Sequence, residues 1–230
     1  MANFNVSKKD SWGLVVLFGG DLPADPIIKN TVKESLYCIC ADGGTRIAYE
    51  CDRIPDLLVG DMDSIDHEGL EWCINNNVRQ KKYEPEKDYT DGEIALDFAI
   101  KIAKDKAIKR ITVIGAYGNR LDHMLANLLI GQKVLDQGLE IVYLNDNSIV
   151  YLLSDNSSLK IKSSNGRTVS LLPMVEKVFG VTLKGFKYLL EDAEMTNDRA
   201  YGISNEMIAE NGSISLKKGR LMVVQNRVKV

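Results

Sequence analysis

From Leu14 to about Asn145, short apolar runs alternate with longer stretches in which apolar residues recur at helical spacing. That alternation builds a largely parallel sheet covered by helices. The predicted strands are residues 14–18, 36–41, 57–59, 78–83, 111–114 and 140–144, and the predicted helices are 26–35, 44–51, 67–76, 91–106 and 122–137. The helix after Thr90 has the clearest period, with Ile94, Ala95, Phe98 and Ile102 on one face and Lys101, Lys104, Asp105 and Lys106 on the wet side.

Past Asn145 the period changes. Val, Ile and Leu runs are separated by Asp-Asn-Ser-Ser, Ser-Ser-Asn-Gly, Lys-Gly and Glu-Asn-Gly turns, which is the pattern of an all-β domain. Strands are predicted at 149–153, 159–162, 168–172, 181–184, 214–216 and 221–225, enough for a small sandwich or barrel. The expected organisation is a Rossmann-like layered α/β domain over 1–146 and a small β domain over 147–230, with the first ten residues a loose tail.

Composition removes several classes of function. The chain is 45% hydrophobic and 27% charged, which excludes a disordered or collagen-like chain. With 29 Lys and Arg against 32 Asp and Glu, no positive field would gather nucleic acid or an anionic membrane, and neither is expected as a partner. The apolar run near the start is too short to span a bilayer. Cysteines 38, 40, 51 and 73 form no CxxC pair, and only His67 and His123 accompany them, so a structural zinc site is not expected. They read as reduced core thiols, which points to the cytoplasm.

The chemistry is suggested by where the carboxylates fall. Most predicted strands of the first domain run directly into glycine and aspartate: Phe18-Gly-Gly-Asp21, Ala41-Asp-Gly-Gly44, Val59-Gly-Asp-Met-Asp-Ser64 and Gly115-Ala-Tyr-Gly-Asn-Arg-Leu-Asp-His123. In an open parallel sheet the carboxyl ends of the strands share one crevice, so these distant segments converge there. Glycines admit phosphate oxygens close to the backbone. Carboxylates beside a phosphate need a cation between them. Asp61 and Asp63, with Asp88 or Asp91, offer hard oxygen ligands without sulfur or imidazole, which selects Mg²⁺ or Mn²⁺ carried with a nucleotide. Each piece also has a plain structural use: Asp-Gly pairs make turns, and Thr90 followed by Glu93 is a capping box. Arg120 and Asp122, opening a helix after a Gly-x-x-Gly turn, make a candidate phosphate and substrate clamp.

Absent motifs narrow the reaction. The chain has no G-x-x-x-x-G-K-[ST], no G-x-G-x-x-G, no G-x-S-x-G and no H-E-x-x-H. Asp61-Met-Asp63 partly imitates the D-x-D of haloacid-dehalogenase-like phosphatases, with Gly60 intervening after the strand.

In order, Ala41-Asp-Gly-Gly44, Gly60-Asp-Met-Asp-Ser64, Glu86-Lys-Asp-Tyr-Thr-Asp91, Gly118-Asn-Arg-Leu-Asp-His123 and Gly202-Ile-Ser-Asn-Glu206 resemble the motif series of the thiamin pyrophosphokinases. The resemblance implies an N-terminal α/β domain, a C-terminal β-sandwich that binds thiamin and dimerises, and a homodimer with active sites shared between subunits. It implies Mg²⁺-dependent transfer of pyrophosphate from ATP to thiamin, giving thiamin diphosphate and AMP. On this sequence it makes Asp61, Asp63 and Asp91 the metal ligands and, with Asp88, the catalytic carboxylates. Asp42, Gly43, Gly44, Arg46, Lys87, Thr90 and Arg120 would surround ATP; Asp122, Ser204 and Asn205 would contact thiamin. Lys87 stands where some relatives carry Gln, and Met207 where many place an aromatic that stacks on a ring. Two other readings use the same residues: a metal-dependent phosphatase or nucleotide hydrolase with Asp61 as nucleophile, and a nucleotide- or thiamin-binding regulator without turnover.

Overall fold

The computed structural model describes residues 3–4, 13–84, 86 and 88–227. These form two compact units, one of residues 12–146 and one of residues 147–230 together with 1–11. The second unit begins with a short strand, β1 (Asn3–Phe4), so part of the expected tail is ordered against the sheet: β1 runs parallel to β9 (Ser158–Lys162).

In the α/β unit, β2 (Leu14–Leu17), β3 (Tyr37–Ala41), β4 (Leu57–Gly60), β5 (Arg79–Lys82), β6 (Arg110–Ile114) and β7 (Glu140–Asn145) make one sheet in the order β7-β6-β2-β3-β4-β5. Every pairing in it is parallel. The central strands are continuous apolar runs because both of their faces are covered. At the margin, β5 is Arg-Gln-Lys-Lys and exposed, a charged edge that resists pairing with another sheet.

The helices start where local chemistry satisfies their first N–H groups. Asp25 accepts from Ile27 N at 2.7 Å ahead of α1 (Pro26–Lys33), and Asp66 from Gly69 N at 2.7 Å ahead of α3 (His67–Asn75). Between them lies the short α2 (Thr45–Glu50). Thr90 caps α4 (Asp91–Asp105), which buries Ile94, Ala95, Leu96, Ala99 and Ala103 against the sheet. The stretch expected as one helix over 122–137 is two, α5 (Leu121–Ile130) and α6 (Gln132–Asp136), meeting at Gly131.

The β unit holds two groups of strands. One is antiparallel, in the order β13 (Asn205–Glu206), β10 (Thr168–Pro173), β15 (Leu221–Asn226), β8 (Ser148–Leu153). The other runs β1, β9, β14 (Asn211–Ser215), β11 (Lys177–Lys184), β12 (Ala193–Thr196). Alternate residues point inward: Leu159 and Ile161, Ile214, Val181 and Leu183 are buried beside Val169, Leu171, Leu221 and Val223. Strand β11 begins four residues before the expected 181, its register shifting between Val178 and Val181 at a bulge that contains Gly180.

Candidate active site

From β2 the chain winds outward through β3, β4 and β5, then adds β6 and β7 on the other flank. The direction of winding therefore reverses between β2 and β6, and the carboxyl ends of those strands part to leave a crevice. It is a cavity of about 700 Å³ lined by the segments after β2, β3, β4 and β6, by the start of α4 and by one side of α5. Two backbone bonds fix the loops at its base: Gly20 N donates to Gly115 O at 2.9 Å and Asp21 N to Tyr117 O at 2.7 Å.

Three carboxylates meet at this crevice. Asp42 follows β3, Asp61 follows β4 and Asp91 opens α4, and one oxygen of each lies within 4.8 Å of the others. Their approach depends on Gly60, where φ is +150° and a Cβ would stand 3.0 Å from Asp42 Cβ and 3.3 Å from Asp91 Cγ. Asp42 and Met62 adopt left-handed backbone, φ +42° and +69°, so conformational strain is concentrated around the cluster.

Asp42 is buried, and its Oδ2 accepts from Ser64 N at 3.1 Å. Its Oδ1 is buried with no hydrogen-bond partner among the described residues. Loss of solvent pushes the Asp42 carboxyl up to about 6; hydrogen bonds from Ser64 oppose the shift, and the negative charge of Asp91 adds to it. Clustered hard oxygens with a buried, unsatisfied lone pair fit a small divalent cation that keeps water and phosphate in the rest of its shell.

Residues 28–143 match the family described as thiamin pyrophosphokinase, catalytic domain, and residues 156–221 match its vitamin B1 binding domain. The chain belongs to the thiamin pyrophosphokinase family. It is 28% identical over 211 residues to the thiamine pyrophosphokinase of Bacillus subtilis, covering 92% of this chain and 97% of that one. The crystal structure of the Bacillus subtilis thiamine pyrophosphokinase superposes with a TM-score of 0.80 at 26% identity, covering 94% of this chain and 99% of the other. That of the Geobacillus thermodenitrificans thiamin pyrophosphokinase gives 0.77 at 27% identity, covering 94% and 97%.

Against the thiamin pyrophosphokinase motifs, the structure gathers some expected residues and separates others. Asp61 and Asp91 stand together, but the third member of the trio is Asp42; Asp63 is exposed, its Oδ1 accepting from Ser64 Oγ at 2.9 Å. Gly43, Arg46, Thr90 and Arg120 line the cavity. Arg46 Nη2 donates to Gly20 O at 3.2 Å, and Thr90 Oγ1 accepts from Glu93 N at 3.2 Å. Gly44 serves packing instead. A Cβ there would meet Leu17 O at 2.1 Å, so it seats the turn after β3 on β2 and does not line the cavity. Asp88 is exposed and outside the lining, and Lys87 lies outside the described residues.

Asp122 is also outside the lining. It holds Arg120 in a fork at 2.7 and 3.3 Å, which raises the guanidinium pKa and lowers that of the carboxylate. In the β unit, Ser204 has left-handed φ of +58° and its N donates to Ser170 Oγ at 3.0 Å. Asn205 is buried and braces a loop: its Oδ1 accepts from Tyr188 N and Glu206 N, and its Nδ2 donates to Tyr188 O at 2.7 Å. Met207 is fully buried in the same unit, which leaves no face for a ring. Sequence reasoning passed over Tyr49 and Asn127, which line the cavity from α2 and α5. Tyr49 was findable, since it falls three residues after Arg46 on one helix face.

Proposed function

We propose that this chain transfers the β,γ-pyrophosphoryl group of ATP to the hydroxyethyl oxygen of thiamin, releasing AMP, with Mg²⁺ as the metal. The supporting observation is the Asp42–Asp61–Asp91 cluster at the strand switch point of a chain that belongs to this family. Those three carboxylates would hold the ion, which when bound offsets the charge on the phosphates and on the departing AMP oxygen. Arg46 and Arg120 supply positive charge on the cavity wall, and the N-terminus of α4 adds its partial charge. The alcohol of thiamin is a weak nucleophile, and the chain's main contribution is alignment in a site whose carboxylates are fixed in advance. With Asp88 outside the cavity, no proton is routed through it.

The β unit is proposed to supply thiamin contacts, in keeping with the vitamin B1 binding domain matched over 156–221, and two copies are proposed to share their sites as a homodimer. Among the described residues no helix is long and apolar enough to cross a membrane. All four cysteines are buried and unbridged, which supports a cytoplasmic location.

The test is AMP release dependent on both thiamin and Mg²⁺. Asp61→Asn is expected to lower kcat by about 100-fold or more with an unchanged melting temperature, because a ligand is removed from an exposed cavity and nothing from the core. Unchanged turnover would remove Asp61 from the site. Phosphate release from simple monoesters without thiamin would instead make Asp61 a phosphatase nucleophile.

A further inference from the structure

The cavity has an aromatic wall to which the ATP-dependent reading gives no role. Thr45, Arg46 and Tyr49 all face into it from α2. Tyr49 is one turn beyond Thr45, about 6 Å along the helix axis. It is 56% exposed, which is costly for a large aromatic in solvent. It is also held in place: the Trp72 ring of α3 meets it edge to face, with centroids 5.3 Å apart and planes at 88°. Ile65, just ahead of α3, and Glu68, in its first turn, line the same cavity. A fixed aromatic plane with an aliphatic neighbour and a carboxylate able to accept from an exocyclic amine suits a flat heterocycle.

Both proposed substrates carry such a ring, and Arg46 discriminates between them. Its guanidinium sits on the same helix face, one turn back toward the Asp42 end of α2, held by Gly20 O. A path from the carboxylate trio past this cation attracts phosphates and repels the thiazolium of thiamin. We propose that Tyr49, with Trp72 positioning it, is the platform on which the adenine ring of ATP stacks. The proposal rests on the ATP-dependent reading and adds the residue that selects the base.

The test compares Tyr49→Ala and Tyr49→Phe with the wild type in three measurements: steady-state KM for ATP and thiamin, AMP binding by calorimetry, and inhibition by Mg²⁺–tripolyphosphate, which has the phosphates but no base. Tyr49→Ala should raise the ATP KM and the AMP Kd about tenfold, in line with the worth of one base–aromatic stack. Its tripolyphosphate inhibition and thiamin KM should not change, and Tyr49→Phe should restore ATP and AMP. Equal losses for ATP and tripolyphosphate would show that Tyr49 only supports α2, and would overturn the platform. A rise in thiamin KM with ATP unaffected would assign the plane to the other substrate and overturn it as well. A wild-type protein that binds neither ATP nor tripolyphosphate would instead refute the ATP-dependent reading itself.

Discussion

Burying Asp42 beside Asp91 has a cost that a proton or a cation relieves, and this makes the metal proposal measurable without turnover. Without metal, the folded protein holds the Asp42 proton up to about pH 6, whereas the ordinary value, taken for the unfolded chain, is 3.8. The folded state therefore binds more protons across that window, and its stability falls as pH rises through it. Asp42→Asn removes the charge and keeps a residue that tolerates left-handed backbone. In EDTA this variant should be more stable than the wild type by about 3 kcal/mol above pH 6, with most of the advantage gone near pH 4. Millimolar Mg²⁺ with ATP should reverse the ranking, since only the wild-type carboxylate is a ligand. Thermal melts over pH in EDTA and in Mg²⁺–ATP decide it: a pH-independent gap between the two proteins would mean that Asp42 does not carry the burden assigned to it.

The elements that position these side chains were unequally legible. Buried parallel strands are continuous apolar runs, so β2, β3, β4, β6 and β7 could be placed within a residue or so, and with them the glycine–aspartate segments at their ends. Thr90 was ambiguous between cap and ligand, and its Oγ1 accepts from Glu93 N at the start of α4. Thr90→Ala should therefore cost about 1 kcal/mol, a fall of roughly 2–4 °C in melting temperature, while Thr90→Ser restores it; a melting temperature unmoved by Thr90→Ala would return Thr90 to a purely ligand-binding role. The differences between expected and observed positions have local causes. Met62 turns left-handed and Asp63 N donates to Asp61 Oδ1 at 3.2 Å, a tight turn that leaves Asp42, from another strand, as the third carboxylate. An Asp-Met-Asp spacing carries no signal of that turn. The bulge in β11 interrupts its alternation and hides its first residues from the pattern, and β12 and β13 are too short and polar to show a period. The junction at Gly131 was invisible because its backbone stays helical, φ −59° and ψ −18°.

At the scale of the whole molecule, α5 poses a question that a single chain does not answer. None of its ten residues is buried, and Leu121, Leu125 and Leu129, each one turn apart, are 67%, 53% and 50% exposed. Fully burying a leucine is worth about 1.5–3 kcal/mol, so the stripe leaves several kcal/mol of favourable burial unused. In the β unit, Tyr188, Leu189, Tyr201, Ile203 and Ile208 are exposed around the segment that carries Ser204. Exposed apolar residues grouped in this way mark interaction surfaces, and the proposed homodimer would use them. The same α5 lines the cavity with His123, Met124 and Asn127, so association through its leucine stripe would fix one wall of the site. Leu125 is not in the cavity lining, and Leu125→Lys places a charge in the middle of the stripe. Sedimentation should show a dimer for the wild type and a monomer for this variant, with circular dichroism unchanged. If sites are shared, the monomer should lose most of its turnover and recover it at protein concentrations high enough to restore the dimer. A variant that remains dimeric would remove α5 from the interface. A fully active monomer would show that each chain completes its own site, and the shared-site proposal would fail even though the dimer itself had been found.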